Sequence, residues 1–212
     1  MISGDSHYVS LAAAYCRGRL GLTGSDDESA VAAGVVAGLR LHRFKRTAEL
    51  PRVRRVIGAL LGLAPAELLD LGSGRGVFLW PLVDAMPELR VLAVDRLAHR
   101  VAGLAAVARG GVSRLAAARM DATRLAVRSR SFDVVTVLEV LEHIPDAAAA
   151  VGEAMRVAGR AVIATVPSHE DDNPEHIHLF DGARLEALFL AAGARRVSVE
   201  HVRGHIVAVA LR

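Results

Sequence analysis

Aromatic side chains make up only 4% of the 212 residues, which excludes an interior built on stacked rings and leaves Ala, Val and Leu to fill it. One cysteine, Cys16, excludes an internal disulfide and fits a reducing compartment. No apolar run approaches the ~18 residues that span a bilayer, so no membrane contact is expected. The opening "MISGDSHYVS" places an acid where an export signal carries positive charge, and a cytoplasmic protein is expected. Internal repeats and low-complexity linkers are missing, and a chain of this length fits one domain with a full core. Lysine is all but absent: Lys45 stands alone, and arginine carries the positive charge.

That charge is uneven. The net charge is only +3, yet "RLHRFKRTAELPRVRR", Arg40 to Arg55, holds seven basic residues against the single acid Glu49. Such a segment is either the solvated face of an amphipathic helix pair or a patch for an anion, phosphate or RNA.

From Val56 onward short apolar runs alternate with helical patterns. Strands are expected at Glu67–Gly72, Arg90–Asp95, Val112–Ala122, Phe132–Glu139 and Arg160–Pro167, with helices at Val77–Met86, Ala98–Arg109, Ala147–Val157 and Gly182–Gly193 between and after them. This alternation implies a doubly wound α/β fold, a mostly parallel sheet covered by helices on both faces. Two final strand-like runs, "ARRVSVEHV" and "HIVAVALR", hinge at Gly204 and predict an antiparallel hairpin. Before Val56 the pattern is helical at Ser6–Tyr15, Ala30–Phe44 and Pro51–Leu61, the last with proline in its first turn. The expected organisation is a single domain: a helical cap over residues 1–55 and an α/β core over 56–212.

The most informative stretch is "LLDLGSGRG", which follows a strand and opens a helix. In a doubly wound sheet ligands sit at the carboxyl ends of the strands, where glycines let the backbone approach them. The spacing Gly72-x-Gly74-x-Gly76 departs from the dinucleotide G-x-G-x-x-G pattern, and no Gly-Lys-Ser/Thr follows, so a P-loop is excluded. "VLAVD" then ends the second strand in Asp95, placed to accept hydrogen bonds from a ribose. "MDAT" after the third supplies Asp121, a candidate partner for an adenine amino group.

With these residues in register, the chain resembles the class I S-adenosylmethionine-dependent methyltransferases from Val56 to the C-terminus. The resemblance implies a seven-stranded sheet closing in an antiparallel hairpin, and S-adenosylmethionine as cofactor. It implies Gly72, Gly74 and Gly76, with Ser73 beside them, around the methionine part. It also implies Asp70 near the cofactor's amino group, Asp95 and Arg96 at the ribose, and Asp121 with Ala122 at the adenine.

Two fragments compete for the chemistry. "EVLEHIPD" carries Glu139, Glu142 and His143 at i, i+3 and i+4, spacings that share one side of a helical turn, and "SHEDDNPEHIH" concentrates acids and histidines after the fifth strand. Generic small-molecule methyltransferases carry a similar Glu-His-Ile-Pro-Asp stretch, which makes His143 a candidate general base and His178 a second catalytic candidate. A partial resemblance to the 3′-terminal 2′-O-methyltransferases of small RNAs implies instead a Mg²⁺ or Mn²⁺ held by Glu139, Glu142, His143 and His178, with His176 as rival to His178. Tyr8, His42 and Phe44 of the cap are expected over the same mouth, with core burial as the alternative for Phe44 and Leu41. Three functions follow: O-methylation of a small-molecule acceptor, metal-assisted methylation of RNA, or a non-catalytic cofactor-binding module.

Overall fold

The computed structural model describes residues 3–170 and 172–212; Asp171, in the acid- and histidine-rich loop, and residues 1–2 of the opening segment lie outside the described residues. Seven strands form one sheet: β1 (Glu67–Leu71), β2 (Arg90–Asp95), β3 (Leu115–Arg119), β4 (Phe132–Leu138), β5 (Ala158–Pro167), β6 (Arg196–Val202) and β7 (His205–Leu211). Their order is β3-β2-β1-β4-β5-β7-β6. The first five strands are parallel, and β7 enters antiparallel between β5 and β6. Strand order reverses at β1 and β4, so the crevice between their carboxyl ends is where a ligand is expected.

The central strands β1, β4 and β5 are buried on both faces, as their apolar runs require. Within each strand consecutive side chains point to opposite faces. Leu68, Val134, Ala161 and Ile163 join the core beneath α1 (Val9–Leu20), α3 (Pro51–Leu63), α4 (Leu79–Ala85) and α5 (Ala98–Arg109). Leu69, Val135, Val162 and Ala164 join the core beneath α6 (Ala147–Val157) and α7 (Gly182–Ala191). The N-terminal helices therefore share a core with the sheet.

Three local expectations are corrected. The helix expected at Ala30–Phe44 is split: α2 (Asp27–Val36) starts on the Asp26 carboxylate, which accepts from the Ser29 N–H at 2.7 Å, and ends before Gly38 in the left-handed region at φ +70°. A 3₁₀ turn at Leu41–Phe44 follows, and it carries Phe44 inward between Tyr15 and Trp80, ring centroids 5.5 and 5.1 Å away. Tyr8 and Phe44 are thus core residues and do not cover the mouth; His42 is exposed. The third strand is only Leu115–Arg119, shorter than expected at both ends.

The third correction concerns "EVLEH". Glu139 still donates its N–H to the Thr165 carbonyl at the end of the ladder (2.9 Å), and its backbone then turns at φ +56°, a conformation rare for a residue with a side chain. Helical geometry resumes only as a 3₁₀ turn at Leu141–His143. Glu139 is therefore not on one helical face with Glu142 and His143.

Candidate functional site

At the switch point lies a cavity of about 210 Å³ lined on one side by Asp70, Gly72, Ser73, Gly74 and Arg75, and on the other by Arg52, Glu139 and Thr165. The glycine loop is held against β2: the N–H groups of Gly72 and Ser73 both donate to the Val94 carbonyl, at 2.8 and 3.1 Å. Gly76 does not line the cavity; it turns the loop into α4 over the indole of Trp80, whose Nε1–H donates to the Arg75 carbonyl at 3.0 Å.

Asp95 is buried and does not itself line the cavity. Its carboxylate accepts from the N–H of Gly74 (3.1 Å) and of Leu97 (2.8 Å), with Arg100 Nη1 at 3.4 Å. The strand-end acid thus fixes the shape of the glycine loop. Asp70, the penultimate residue of β1, accepts from the Thr136 hydroxyl at 2.7 Å. Burial pushes its carboxyl up to about 6, with Asp95 adding to the rise and the hydroxyls of Ser73 and Thr136 opposing it. Arg96, Asp121 and Ala122 lie beyond this cavity, at the exits of β2 and β3. Asp121 is exposed and closes a turn by accepting from the N–H and hydroxyl of Thr123 (2.9 and 2.7 Å), bonds that hold its carboxyl below the usual range.

The far wall holds residues that the linear pattern does not single out. Arg52, from the first turn of α3, places Nε 4.0 Å from Glu139 Oε2. The Thr165 hydroxyl donates to Glu139 Oε1 at 2.7 Å, and His205, the first residue of β7, sets Nε2 3.0 Å from Oε2. Burial works to raise the Glu139 carboxyl, yet hydrogen bonds from His205 and Thr165, with the charges of His205 and Arg52, together hold it below the usual carboxylate range. The same bond to Glu139 holds the imidazole of His205 above its ordinary range, against burial and the nearby Arg52 charge.

The four-residue metal set is not assembled. Glu139 is committed to the opposite wall, bonded to Thr165 and His205, and the His178 ring turns Nε2 toward the carbonyls of Ile144 and Pro145, at 3.1 and 3.2 Å; neither residue belongs to the group whose ligand atoms converge. What converges instead, among the described residues, is Glu142, His143 and His176, each with one ligand atom and all within 4.8 Å of one another. His143 donates from Nδ1 to the Glu175 carbonyl (2.9 Å), which leaves Nε2 as its lone-pair nitrogen. Neither His143 nor His178 lines the cavity.

Residues 69–162 match the family model described as a methyltransferase domain, a span that takes in the glycine loop and the carboxyl ends of β1 to β4. A malonyl-[acyl-carrier protein] O-methyltransferase of Geobacter sulfurreducens is 32% identical over 107 residues, 50% of this chain and 40% of that protein. A ubiquinone biosynthesis O-methyltransferase of Ralstonia nicotianae is 37% identical over 90 residues, 42% of this chain and 37% of that protein. The chain spans less than half the length of these curated relatives. A structure of a SAM dependent methyltransferase from Aquifex aeolicus superposes with a TM-score of 0.65 at 20% identity, over 77% of this chain and 91% of that one, a likeness of fold.

Proposed function

We propose that this chain, which carries a class I S-adenosylmethionine-dependent methyltransferase domain, transfers the cofactor's methyl group to an oxygen of a small-molecule acceptor. The observation that carries this reading is the cavity itself. One wall is a glycine loop shaped by Asp95, and the facing wall is Arg52, Glu139 and Thr165. A sulfonium methyl donor laid along the loop meets an acceptor at the polar wall, and positioning supplies most of the catalysis because the methyl is already activated. Gly72 and Gly74 hold the methionine part, Asp70 faces its amino group, Asp95 and Arg96 take the ribose, and Asp121 with Ala122 receives the adenine. Both curated relatives are named O-methyltransferases, which supports oxygen as the accepting atom.

The basic segment lends RNA little support. Arg43 lies over Tyr15 and Arg46 over Tyr8, while Arg52, Arg54 and Arg55 face Glu139, Glu49 and Glu200. Arg46, Arg52 and Arg55 thus face acids outside the segment, Asp84, Glu139 and Glu200. A second reading is favoured by the converging Glu142, His143 and His176: one carboxylate and two imidazoles fit a divalent ion, whose charge would acidify a coordinated acceptor hydroxyl. Turnover stopped by chelator and restored by Mn²⁺ or Mg²⁺ selects that reading; chelator-resistant turnover removes it.

The main reading is tested by calorimetry and by mass detection of a methylated product. S-adenosylhomocysteine is expected to bind with micromolar affinity, about −8 kcal/mol. Asp95→Ala is expected to weaken it by roughly 2–3 kcal/mol, since a charged acceptor is removed from the ribose. The Gly74 N–H also loses its partner in this variant. An unchanged dissociation constant takes Asp95 out of the site.

A further inference from the structure

We infer that Glu139 and His205 form an acid–base dyad at the acceptor end of the cavity, Glu139 taking the proton of an acceptor hydroxyl and His205 storing it. This rests on the methyl-transfer reading above. Among the described residues two acids line the cavity, and Asp70 is enclosed under the glycine loop, so Glu139 is the carboxylate on the acceptor wall. Its backbone is held at φ +56°, and strained residues of this kind concentrate where a side chain must be aimed.

The geometry settles where a proton can go. Nδ1 of His205 is 3.1 Å from the carbonyl of Arg203, which can only accept, so Nδ1 carries a hydrogen in both charge states. Nε2 is then the one nitrogen that gains or loses a proton, and it lies 3.0 Å from Glu139 Oε2. The charged groups around it are Glu139 at the end of β4 and Arg52 of α3; His169, from the segment after β5, approaches the adjoining turn at Gly204. Arg52 compensates the carboxylate while the imidazole is neutral and opposes its protonation. Half-buried behind Glu139, with its side chain 21% exposed, His205 can return a proton to solvent.

In the step, the acceptor oxygen attacks the sulfonium methyl. Starting from the neutral imidazole, with Nε2 unprotonated, the O–C bond forms, the S–C bond breaks with its electron pair passing to sulfur, and the hydroxyl proton moves to Glu139 and on to Nε2. The dyad ends as a carboxylate–imidazolium pair. Glu139 is the catalytic residue; His205, acting through it, is the positioning and proton-storing one.

The test uses His205→Gln, which keeps a hydrogen-bond donor but cannot take a proton, with catechol as the probe acceptor. Wild type is expected to lose kcat/KM on acidification, with the limb above 6.5 because Glu139 raises the imidazole. In His205→Gln that limb is expected to vanish and kcat to fall by roughly 10–100-fold, within the usual range for removing an acid–base group. KM for S-adenosylmethionine and binding of S-adenosylhomocysteine are expected to stay as in wild type. Histidine NMR on the S-adenosylhomocysteine complex gives a second arm: the His205 ring should titrate lower in Glu139→Gln than in wild type. A wild-type pH profile and kcat in His205→Gln, loss of cofactor binding in that variant, or an unmoved His205 titration overturns the dyad. Wild type that binds cofactor but methylates no hydroxyl overturns the O-methylation reading itself, whatever the NMR shows of the pair.

Discussion

Gly76→Ala is expected to destabilise the protein by several kcal/mol, and Gly74→Val to abolish cofactor binding in a protein that still folds. The two glycines sit two residues apart in the same loop, both in the left-handed region, at φ +87° and +58°. A Cβ on Gly76 would lie 2.1 Å from Cε2 of Trp80. That indole has nowhere to go: it is fully buried, packs on Phe44 at 5.1 Å and is tied by its Nε1–H to the Arg75 carbonyl. Overpacking costs roughly 1–3 kcal/mol and left-handed strain a similar amount, so about 2–6 kcal/mol is expected in denaturant unfolding. At Gly74 the nearest atoms to an added Cβ are 3.7 and 3.9 Å away, which is ordinary contact. Valine there adds backbone strain of about 1–3 kcal/mol, and its methyl groups occupy a cavity wall. Calorimetry with S-adenosylhomocysteine should show no heat of binding for Gly74→Val at concentrations that saturate wild type. Undiminished binding would move the cofactor away from this loop.

The difference between these two glycines was not legible in "GSGRG", although the loop was. Strand, glycine turn, helix and the acid ending β2 are local patterns, set by burial on both faces and by the need for a backbone without Cβ. Alternation of apolar runs likewise carried β1, β2, β4, β5 and the closing hairpin. What linear reading missed depends on contacts between distant elements. Nothing near Arg52 announces that the first turn of α3 meets the end of β4, and nothing near His205 announces that β7 starts beside Pro167 and so reaches Glu139. The grouping of Glu139 with Glu142 and His143 failed because helical spacing was assumed across a residue in the left-handed region. His178 and His176 are two residues apart, and the loop turns them differently: His178 meets the carbonyls of Ile144 and Pro145, while the His176 ring lies 4.8 Å from that of His143.

Asp70→Asn is expected to stabilise the empty protein at pH 8 and to weaken its hold on the cofactor. Asp70 is 3% exposed within β1, and desolvation pushes its carboxyl up to about 6. In the unfolded chain the same group titrates near 3.9. A raised carboxyl means that the folded state holds the proton more tightly. Below about pH 4 the group is protonated in both states and costs nothing; between about pH 4 and 6 the cost of burying its charge grows; above that it is complete. Two units correspond to about 3 kcal/mol, of which the asparagine should recover a part, because its carbonyl still accepts from Thr136. The gain measured in denaturant should therefore be present at pH 8 and absent at pH 4. Binding runs the other way. On the proposed placement of the cofactor, an ionised Asp70 beside its ammonium group regains in the complex what its burial costs in the empty protein, so S-adenosylhomocysteine should bind the asparagine variant at least about tenfold more weakly, the worth of one charge-assisted hydrogen bond. The same pairing pulls the Asp70 carboxyl down, so binding near pH 6 should release protons. The heat of binding measured there in buffers of different ionisation enthalpy should vary for wild type and stay constant for Asp70→Asn. Constant heats for wild type would mean that Asp70 does not face the ammonium group, and its buried charge would then need another partner.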